Sequence, residues 1–337
     1  MDLAFTEDQD ALRSSVRAVL ERECPMSLVR SVVEKGAAAA SADVGALWQR
    51  MVELGWPALT VPESSGGLGL GWVELAVVLE ELGRACAPGP YASTVAQYLP
   101  FARGGSPTLS AEVAAGGRGA LVLSTYVLGA ADADVFAVVR DGRVHAVRRD
   151  APGVSVVSVD ALDASRPVGR VTVSDDALGA AEEVFDVPPT AHDEAVVGVA
   201  VETVGACQAI FDVALEHART RVQFGVPIGS FQAIKHKFTD MFVALEKARA
   251  AAYFAAACLA EGDDRVPLAA SMAKAAAGDC QRLLAAEGIQ ILGGMGYTWE
   301  HDMHLLVKRA KTGESLFGST HEHRARVADL VLPAELG

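Results

Sequence analysis

The sequence lacks the features that mark several large classes of protein. No segment concentrates lysine and arginine, and the net charge of the 337 residues is -14, which disfavours a nucleic-acid-binding surface. The N-terminus has neither the basic region nor the apolar core of a secretory signal, and no apolar run reaches the length of about 18 residues that a membrane span needs. We therefore expect a soluble protein that is not exported.

Cysteine is scarce and scattered. The five cysteines form no Cys-x-x-Cys pair, and they stand at Cys24, Cys86, Cys207, Cys258 and Cys280. Such a pattern favours small buried side chains in a reducing compartment over a disulfide framework. We expect a cytoplasmic protein.

About half of the residues are apolar, 51%, which is enough for one or two packed domains. The pattern divides the chain into an N-terminal helical domain at residues 1–117, a truncated β domain at 118–190 and a C-terminal helical bundle at 191–337. The predicted fold class is α+β and mainly α, with a small antiparallel β-barrel in the middle and a four-helix bundle at the C-terminus.

The N-terminal segment carries explicit helix signals. Thr6 is an N-cap residue with Gln9 three positions later, which predicts a capping box, and Pro25 is a stop signal. The alanine-rich residues 37–40 predict a connection, after which a helical pattern runs from Val44 to Leu54.

The middle segment changes period. Short runs rich in β-branched residues alternate with turns such as Asp141-Gly142, and they cover residues 120–125, 135–140, 144–147, 154–159 and 168–173. These runs predict a small antiparallel barrel or sandwich.

Two long helical patterns, residues 194–220 and 231–260, flank a loop rich in glycine and proline. The loop brings Arg221, Phe224 and Gln232 to one end of the predicted helix pair. A guanidinium, an aromatic ring and an amide suit a nucleotide diphosphate. An arginine that caps a helix and a phenylalanine that fills the bundle end explain the same spacing.

The loop and a second block resemble the acyl-CoA dehydrogenase family of flavoenzymes. The first block reads Arg-Val-Gln-Phe-Gly-Val-Pro-Ile-Gly-Ser-Phe-Gln from Arg221, and the second reads Gln-Ile-Leu-Gly-Gly-Met-Gly-Tyr from Gln290. The resemblance implies that both blocks reach an FAD held mainly by a neighbouring subunit, with Arg221 at the pyrophosphate. Gly293 and Gly294 suit close approach of backbone to phosphate, although a helix C-cap followed by a turn is the simpler interpretation.

The resemblance extends to the N-terminal segment but weakens in the middle. The Thr-Glu-Pro-x-x-Gly-Ser-Asp-like and Thr-Asn-like segments that lie beside the flavin ring in the family have no counterpart here, and the β domain is short. The loops for this chain's own isoalloxazine are therefore expected to be missing.

The resemblance also locates the catalytic base, a carboxylate that removes the α-proton of the thioester. One family position falls on Phe317, before Gly318, and the other falls on Ala195. Neither side chain can accept a proton. Among nearby carboxylates, Glu194 is a weak candidate, expected to be a solvated residue at a helix N-terminus.

Two further carboxylates, Glu314 and Glu322, flank the Phe317 position. His321-Glu322-His323-Arg324 superficially suggests a metal site, but histidines two residues apart lie on different faces of a helix. We expect no metal and a polar cluster that faces solvent or a subunit interface.

These observations favour a catalytically degenerate subunit of a heteromeric acyl-CoA dehydrogenase, similar to the short chains of actinobacterial α2β2 enzymes for bulky, steroid-type CoA thioesters. The expected partners are a larger homologous subunit, an acyl-CoA and an acceptor such as electron-transfer flavoprotein. Two alternatives stay open: an independent homomeric flavoenzyme with a relocated base, and a non-enzymatic acyl-CoA-binding or scaffold protein.

Overall fold

The computed structural model describes residues 4–36 and 41–332, so the predicted connection at 37–40 lies outside the described residues. Helices dominate, which confirms the mainly α prediction. The helices are α1 Glu7–Glu23, α2 Met26–Lys35, α3 Ser41–Glu53, α4 Trp72–Arg84, α5 Leu99–Arg103, α6 Pro107–Ala114, α7 Asp175–Gly179, α8 Ala191–Thr220, α9 Gln232–Glu261, α10 Val266–Leu292, α11 Met303–Ser315 and α12 Thr320–Val331. The strands are β1 Gly119–Val122, β2 Tyr126–Leu128, β3 Val135–Arg140, β4 Arg143–Arg148, β5 Val154–Val159, β6 Val168–Val173, β7 Glu183–Asp186, β8 Val222–Gln223 and β9 Val226–Pro227.

The first helix begins as its sequence predicts. The Thr6 side chain accepts a hydrogen bond from the backbone N–H of Gln9, and the Gln9 side chain accepts one from the backbone N–H of Thr6. This reciprocal capping box satisfies two donors that the first turn would otherwise leave without partners. The helix ends at Glu23, before Pro25.

The chain forms two compact units. One unit takes its described residues from Met1–Met26, Ala76–Ala87 and Val199–Gly337, and the other from Ser27–Leu75 and Pro88–Gly198. In the first unit α10 packs against α9, α11 and α12. The rings of Phe211 and Phe238 join α8 to α9, with centroids 5.5 Å apart. This unit contains the predicted bundle.

Glycine permits the closest helix contact in the first unit. A Cβ on Gly83 of α4 would lie 2.0 Å from the Glu202 carbonyl oxygen, and one on Gly205 of α8 would lie 1.9 Å from the Glu80 carbonyl oxygen. Larger residues would therefore force α4 and α8 apart at this crossing.

The second unit holds the β strands, and here the barrel prediction needs correction. The strands form a four-stranded sheet, β1-β3-β4-β7, and a three-stranded sheet, β2-β6-β5, and the described residues contain no closed barrel. The pairs are antiparallel except that β1 and β3 are parallel. The reason is that β2 leaves the first sheet to pair with β6, so β3 returns beside β1 in the same direction.

The apolar side chains of this β segment form one core. Ala120, Val127, Phe136, Val147 and Val171 come from five different strands and are nearly inaccessible to solvent. The strands β3, β5 and β6 have the bounds predicted from the sequence, whereas β2 and β7 were not predicted.

Helix α8 is long and apolar enough, by length and composition, to cross a membrane. No such segment was predicted from the sequence. However, 78% of its most apolar window is buried inside the protein, as is usual for a core helix of a soluble protein.

Candidate functional site

Three helix ends meet at one end of the bundle in the first unit. Helices α9 and α10 run in opposite directions because only residues 262–265 connect them, so the start of α9 lies beside the end of α10. An ion pair between Lys237 on α9 and Glu287 on α10 fixes this arrangement. Gln232 and Gln290 therefore lie at the same end, and Arg221 joins them through the short loop that links α8 to α9. We call this region the bundle end.

The loop that begins at Arg221 folds into a small hairpin. Val222 pairs with Pro227 and Gln223 with Val226, which leaves Phe224 and Gly225 in the turn. Both turn residues have a positive φ, 53° for Phe224 and 81° for Gly225, as a hairpin turn of the I′ class requires. A bulky residue is rare in this conformation.

The Phe224 ring projects into solvent. Its side chain is 94% exposed, and it touches Phe231 edge-on, with ring centroids 6.2 Å apart. The alternative interpretation, in which the phenylalanine fills the bundle end, does not agree with this exposure, and the ring is available to a ligand or another chain.

Arg221 is exposed, and no described carboxylate lies within ion-pair distance of its guanidinium. Its backbone carbonyl accepts a hydrogen bond from Ile228, 2.8 Å away, which closes the hairpin base. Burial lowers the pKa of His217, and the charges of Arg221 and His301 lower it further. The bundle end therefore carries an uncompensated positive charge, which suits an anion.

Gly293 and Gly294 form the turn that ends α10. Gly293 has a φ of 62°, and its N–H donates to the carbonyls of Ile289 and Gln290. A Cβ on either glycine would meet no atom within 4 Å. Both predicted uses, a C-cap and an open backbone surface for phosphate, agree with this geometry.

No role was predicted for the aromatic residues that follow this turn. Tyr297 is 81% exposed. Trp299 stacks on His304, with centroids 4.5 Å apart, and the Lys308 ammonium lies 5.0 Å from the Trp299 ring centre. Four aromatic or basic side chains within 15 residues of Gly293 were the available signal, since exposed aromatic rings beside cations suit flat ligands.

The bundle end thus fits a dinucleotide such as FAD. The exposed Arg221 offers a two-pronged donor to a diphosphate, the Gly293-Gly294 backbone admits close approach, and Phe224 offers a ring face. Contact between FAD and Arg221, Phe224, Gln232, Gln290, Gly293 or Gly294 stays a prediction.

The two family positions for the base contain no ionisable group. Ala195 is fully buried in α8. Phe317 is half-buried and has a φ of 55°, and its carbonyl lies 2.8 Å from the His323 ring Nε2. The buried ammonium of Lys274 donates to the carbonyls of Glu314, at 2.9 Å, and Gly318, at 2.7 Å. The Phe317-Gly318 turn is therefore held by hydrogen bonds, but the side chain at its base position cannot accept a proton.

The expectation that Glu194 is solvated is wrong. Only 4% of this residue is exposed, and its carboxylate accepts hydrogen bonds from Trp72, at 3.1 Å, from Thr190, at 2.8 Å, and from the Arg103 guanidinium. Apolar packing around the first turn of α8 removes the group from water, so a positive partner is needed. Glu194 therefore fixes the positions of Trp72 and Arg103, through a hydrogen bond to each and through the opposite charge of Arg103.

The other carboxylates also have structural partners. Glu322 completes a capping box with Ser319 at the start of α12, and Glu314 accepts from Gln281 at 3.1 Å. His321 is exposed, but His323 is only 4% exposed, so the prediction that the cluster faces solvent or a subunit interface is wrong for His323. Among residues 4–36 and 41–332, no three His, Cys, Asp or Glu side chains could hold a metal ion together.

Lys308 and Arg309 are adjacent in the sequence but differ in burial. Arg309 is 1% exposed, and its guanidinium donates to the carbonyls of Cys86 and Ala87 and pairs with Glu202 at 3.3 Å. This buried arginine satisfies the carbonyls at the end of α4.

Comparison with known proteins agrees with the fold. The acyl-CoA dehydrogenase N-terminal domain matches residues 6–115, and the acyl-CoA dehydrogenase C-terminal domain matches residues 190–332. Acyl-CoA dehydrogenase IpdE2 of Mycobacterium tuberculosis is 35% identical over 324 residues, which cover 94% of this chain and 95% of the relative. Acyl-CoA dehydrogenase FadE34 of the same organism is 31% identical over 98% of this chain but only 49% of its own length.

Solved structures show the same architecture. The Tcur3481-Tcur3483 steroid ACAD superposes with a TM-score of 0.85 at 22% identity, covering 96% of this chain and 98% of that chain. The ChsE4-ChsE5 complex from Mycobacterium tuberculosis gives a TM-score of 0.82 at 22% identity, and the match covers 99% of this chain and 100% of that chain. The sequence matches, which span both ends of the chain, carry the assignment beyond the fold: this chain belongs to the acyl-CoA dehydrogenase family of FAD-dependent flavoproteins.

Proposed function

We propose that this chain is the non-catalytic subunit of a heteromeric acyl-CoA dehydrogenase and contributes FAD contacts to a catalytic partner subunit. One contrast carries the proposal. Phe317 and Ala195 occupy the family's base positions, whereas Arg221, Phe224 and the Gly293-Gly294 turn are exposed together at the bundle end. The chain therefore retains the residues that would contact a neighbour's FAD, and it has no carboxylate at the family's two base positions.

The relatives support this proposal. One similar structure is a complex of two differently named chains, ChsE4 and ChsE5, and another is a steroid ACAD. FadE34 is about twice as long as the segment that this chain matches, so it has room for a second unit of similar size in one polypeptide. We infer a bulky, steroid-type acyl-CoA as the substrate class, and electron-transfer flavoprotein or a similar protein as the acceptor, in the cytoplasm.

In this proposal each protein group has a defined task. When bound, FAD would supply the hydride-acceptor chemistry needed at the β-carbon of the thioester. The Arg221 guanidinium would balance pyrophosphate charge with two hydrogen bonds, and the Gly293-Gly294 backbone would admit the same anion. Phe224 would offer its ring to the cofactor, and Gln232 and Gln290 would donate amide hydrogen bonds to it. The carboxylate that removes the α-proton belongs to the partner.

The Glu194 network disfavours the homomeric alternative. A relocated general base must reach the α-proton of the substrate, but Glu194 is only 4% exposed, and its carboxylate accepts hydrogen bonds from Arg103, Trp72 and Thr190. A non-enzymatic scaffold would have no need for an exposed, unpaired Arg221 beside a glycine turn.

Co-expression tests the proposal. We expect the chain alone to be colourless or to aggregate, and to become yellow when co-expressed with a homologue encoded by a neighbouring gene. The FAD content of the purified protein, determined by absorbance after denaturation, distinguishes the outcomes. About one FAD per chain in the isolated protein would establish the homomeric alternative, and a stable complex without flavin would leave only the scaffold.

A further inference from the structure

A cavity that is separate from the bundle end lies within the first unit. Its volume is about 300 Å³, and α1, α4, α8 and α11 wall it. No residue of the proposed FAD contacts or base positions lines it.

The inner wall of this cavity is apolar. Leu20, Cys24, Ala209 and Leu306 each have less than a tenth of their surface exposed, and Ala85 lies closer to the mouth. Burial raises the pKa of the Cys24 thiol to about 12, so this group stays neutral at physiological pH and belongs to the apolar wall.

Four of the five charged side chains at the cavity form ion pairs with each other. Arg17 binds Glu81 with two hydrogen bonds, 2.9 and 2.6 Å long. Arg84 contacts Asp212 at 3.1 Å. The fifth, Glu21, is exposed and adds a negative charge. An anionic ligand would have to break one of these pairs and would be repelled by Glu21, whereas a neutral ligand would displace only water from the apolar wall.

We propose that this cavity is a binding site for a small neutral apolar molecule about the size of two fused rings. The size follows from the volume, because an apolar cavity of about 150 Å³ accommodates benzene. The paired charges and the additional negative charge of Glu21 disfavour an anion such as a carboxylate or phosphate, and the apolar inner wall favours a neutral ligand. The α1, α4 and α11 helices meet here, so an occupant would link helices that are distant in sequence.

A pair of matched probes tests charge selection. We expect 2-naphthol, which is neutral at pH 7, to bind the full chain at least about tenfold more tightly than 2-naphthoate, which has the same rings and a negative charge. Equilibrium dialysis of the chain, alone or in its complex, measures both affinities. Equal or tighter binding of 2-naphthoate, or no binding of 2-naphthol up to its solubility, would overturn the proposal.

Variants test the location. Ala85→Phe places a ring in the mouth and should weaken 2-naphthol binding at least about tenfold. Ala244→Phe, a half-buried alanine on α9 outside the cavity, is the control and should leave binding unchanged. Val213→Phe, on the part of the wall that α8 forms, replaces Ala85→Phe if that variant does not fold. Unchanged binding in the folded cavity variant would contradict the assignment.

Discussion

At the scale of single residues, burial separates the charged groups that support the fold from those that are free to bind. Glu194 and Arg309 are buried, and each has several hydrogen-bond partners. Arg221 is exposed and has no carboxylate partner in the described chain. The sequence predicted Arg221 as a binding residue but placed Glu194 in solvent, because periodicity does not show which distant side chains, here Trp72 and Arg103, pack over a helix start.

The Glu194 network should be important for stability. Glu194→Ala leaves the Arg103 charge and the Trp72 N–H without their partner, and we expect the free energy of unfolding to fall by about 3 to 5 kcal/mol. Replacing both charged partners, in a Glu194→Leu, Arg103→Met double variant, should restore much of that loss. Urea denaturation of the variants provides the measurement.

Glu194→Gln separates stability from catalysis. It preserves the shape of the side chain, so the activity of the reconstituted complex should stay within a few-fold of wild type. A loss beyond about 10²-fold, the usual scale for a general base, would show that Glu194 takes part in the reaction.

At the scale of elements, the two turns of interest both hold a phenylalanine in a left-handed conformation. Phe224 has a φ of 53° and Phe317 a φ of 55°. The helices on either side of Phe224 were predicted to within a few residues, since their apolar spacing is regular over many turns. The left-handed conformation of the two phenylalanines was not predicted. The only local signal is the glycine that follows each of them, Gly225 or Gly318, and a bulky residue is rare at positive φ.

The Phe224 turn should tolerate substitution structurally. Phe224→Asn replaces an exposed ring with a residue that accepts a left-handed backbone, so the free energy of unfolding should be unchanged within about 0.5 kcal/mol or rise slightly. In the complex, loss of the ring should weaken FAD binding by about tenfold, while Phe224→Tyr should retain it. Urea denaturation and flavin fluorescence titration give the two values. Destabilisation by Phe224→Asn with unchanged FAD affinity would assign the ring a packing role instead.

The Phe317 turn should show a distinctive pH dependence through Lys274. Burial lowers the pKa of Lys274 to about 8 from its ordinary 10.5, although the charges of Glu314 and Glu322 oppose this effect. Between these values the unfolded chain binds more protons than the folded chain, so stability increases as the pH rises through this window. Below pH 8 both states are protonated and Lys274 contributes no slope.

We expect wild type to gain up to about 3 kcal/mol of unfolding free energy relative to Lys274→Met as the pH rises from 8 to 10.5. Urea denaturation of both proteins at several pH values measures the difference, and groups common to both proteins cancel. A relative loss of stability over this window would mean that Lys274 is charged more strongly in the folded state than in water.

At the scale of the whole molecule, the sequence predicted the types of secondary structure and their order along the chain better than it predicted which strands pair. The mainly α class, the bundle and the β segment all agree with the structure. The closed barrel does not, because sheet membership depends on where β2 pairs, and β2 is a three-residue strand without a clear alternation. The division at residues 117/118 and 190/191 stays a prediction. The proposed heteromeric assembly rests on a contrast within the chain. The exposed Arg221, Phe224 and Gly293-Gly294 suit a neighbour's cofactor, whereas Phe317 and Ala195, at the family's base positions, cannot accept a proton.

The FAD affinity of the co-expressed complex tests this account most directly. Arg221→Ala removes a charge-assisted bond to the pyrophosphate and leaves its charge uncompensated, which should cost about 2 to 4 kcal/mol. That cost corresponds to an increase in the FAD dissociation constant of roughly 30- to 1000-fold, and Arg221→Lys should recover only part of it. Flavin fluorescence titration of the purified complexes gives the constants. An Arg221→Ala complex that assembles and binds FAD with wild-type affinity would contradict the central claim that this chain lends its bundle end to a partner's cofactor.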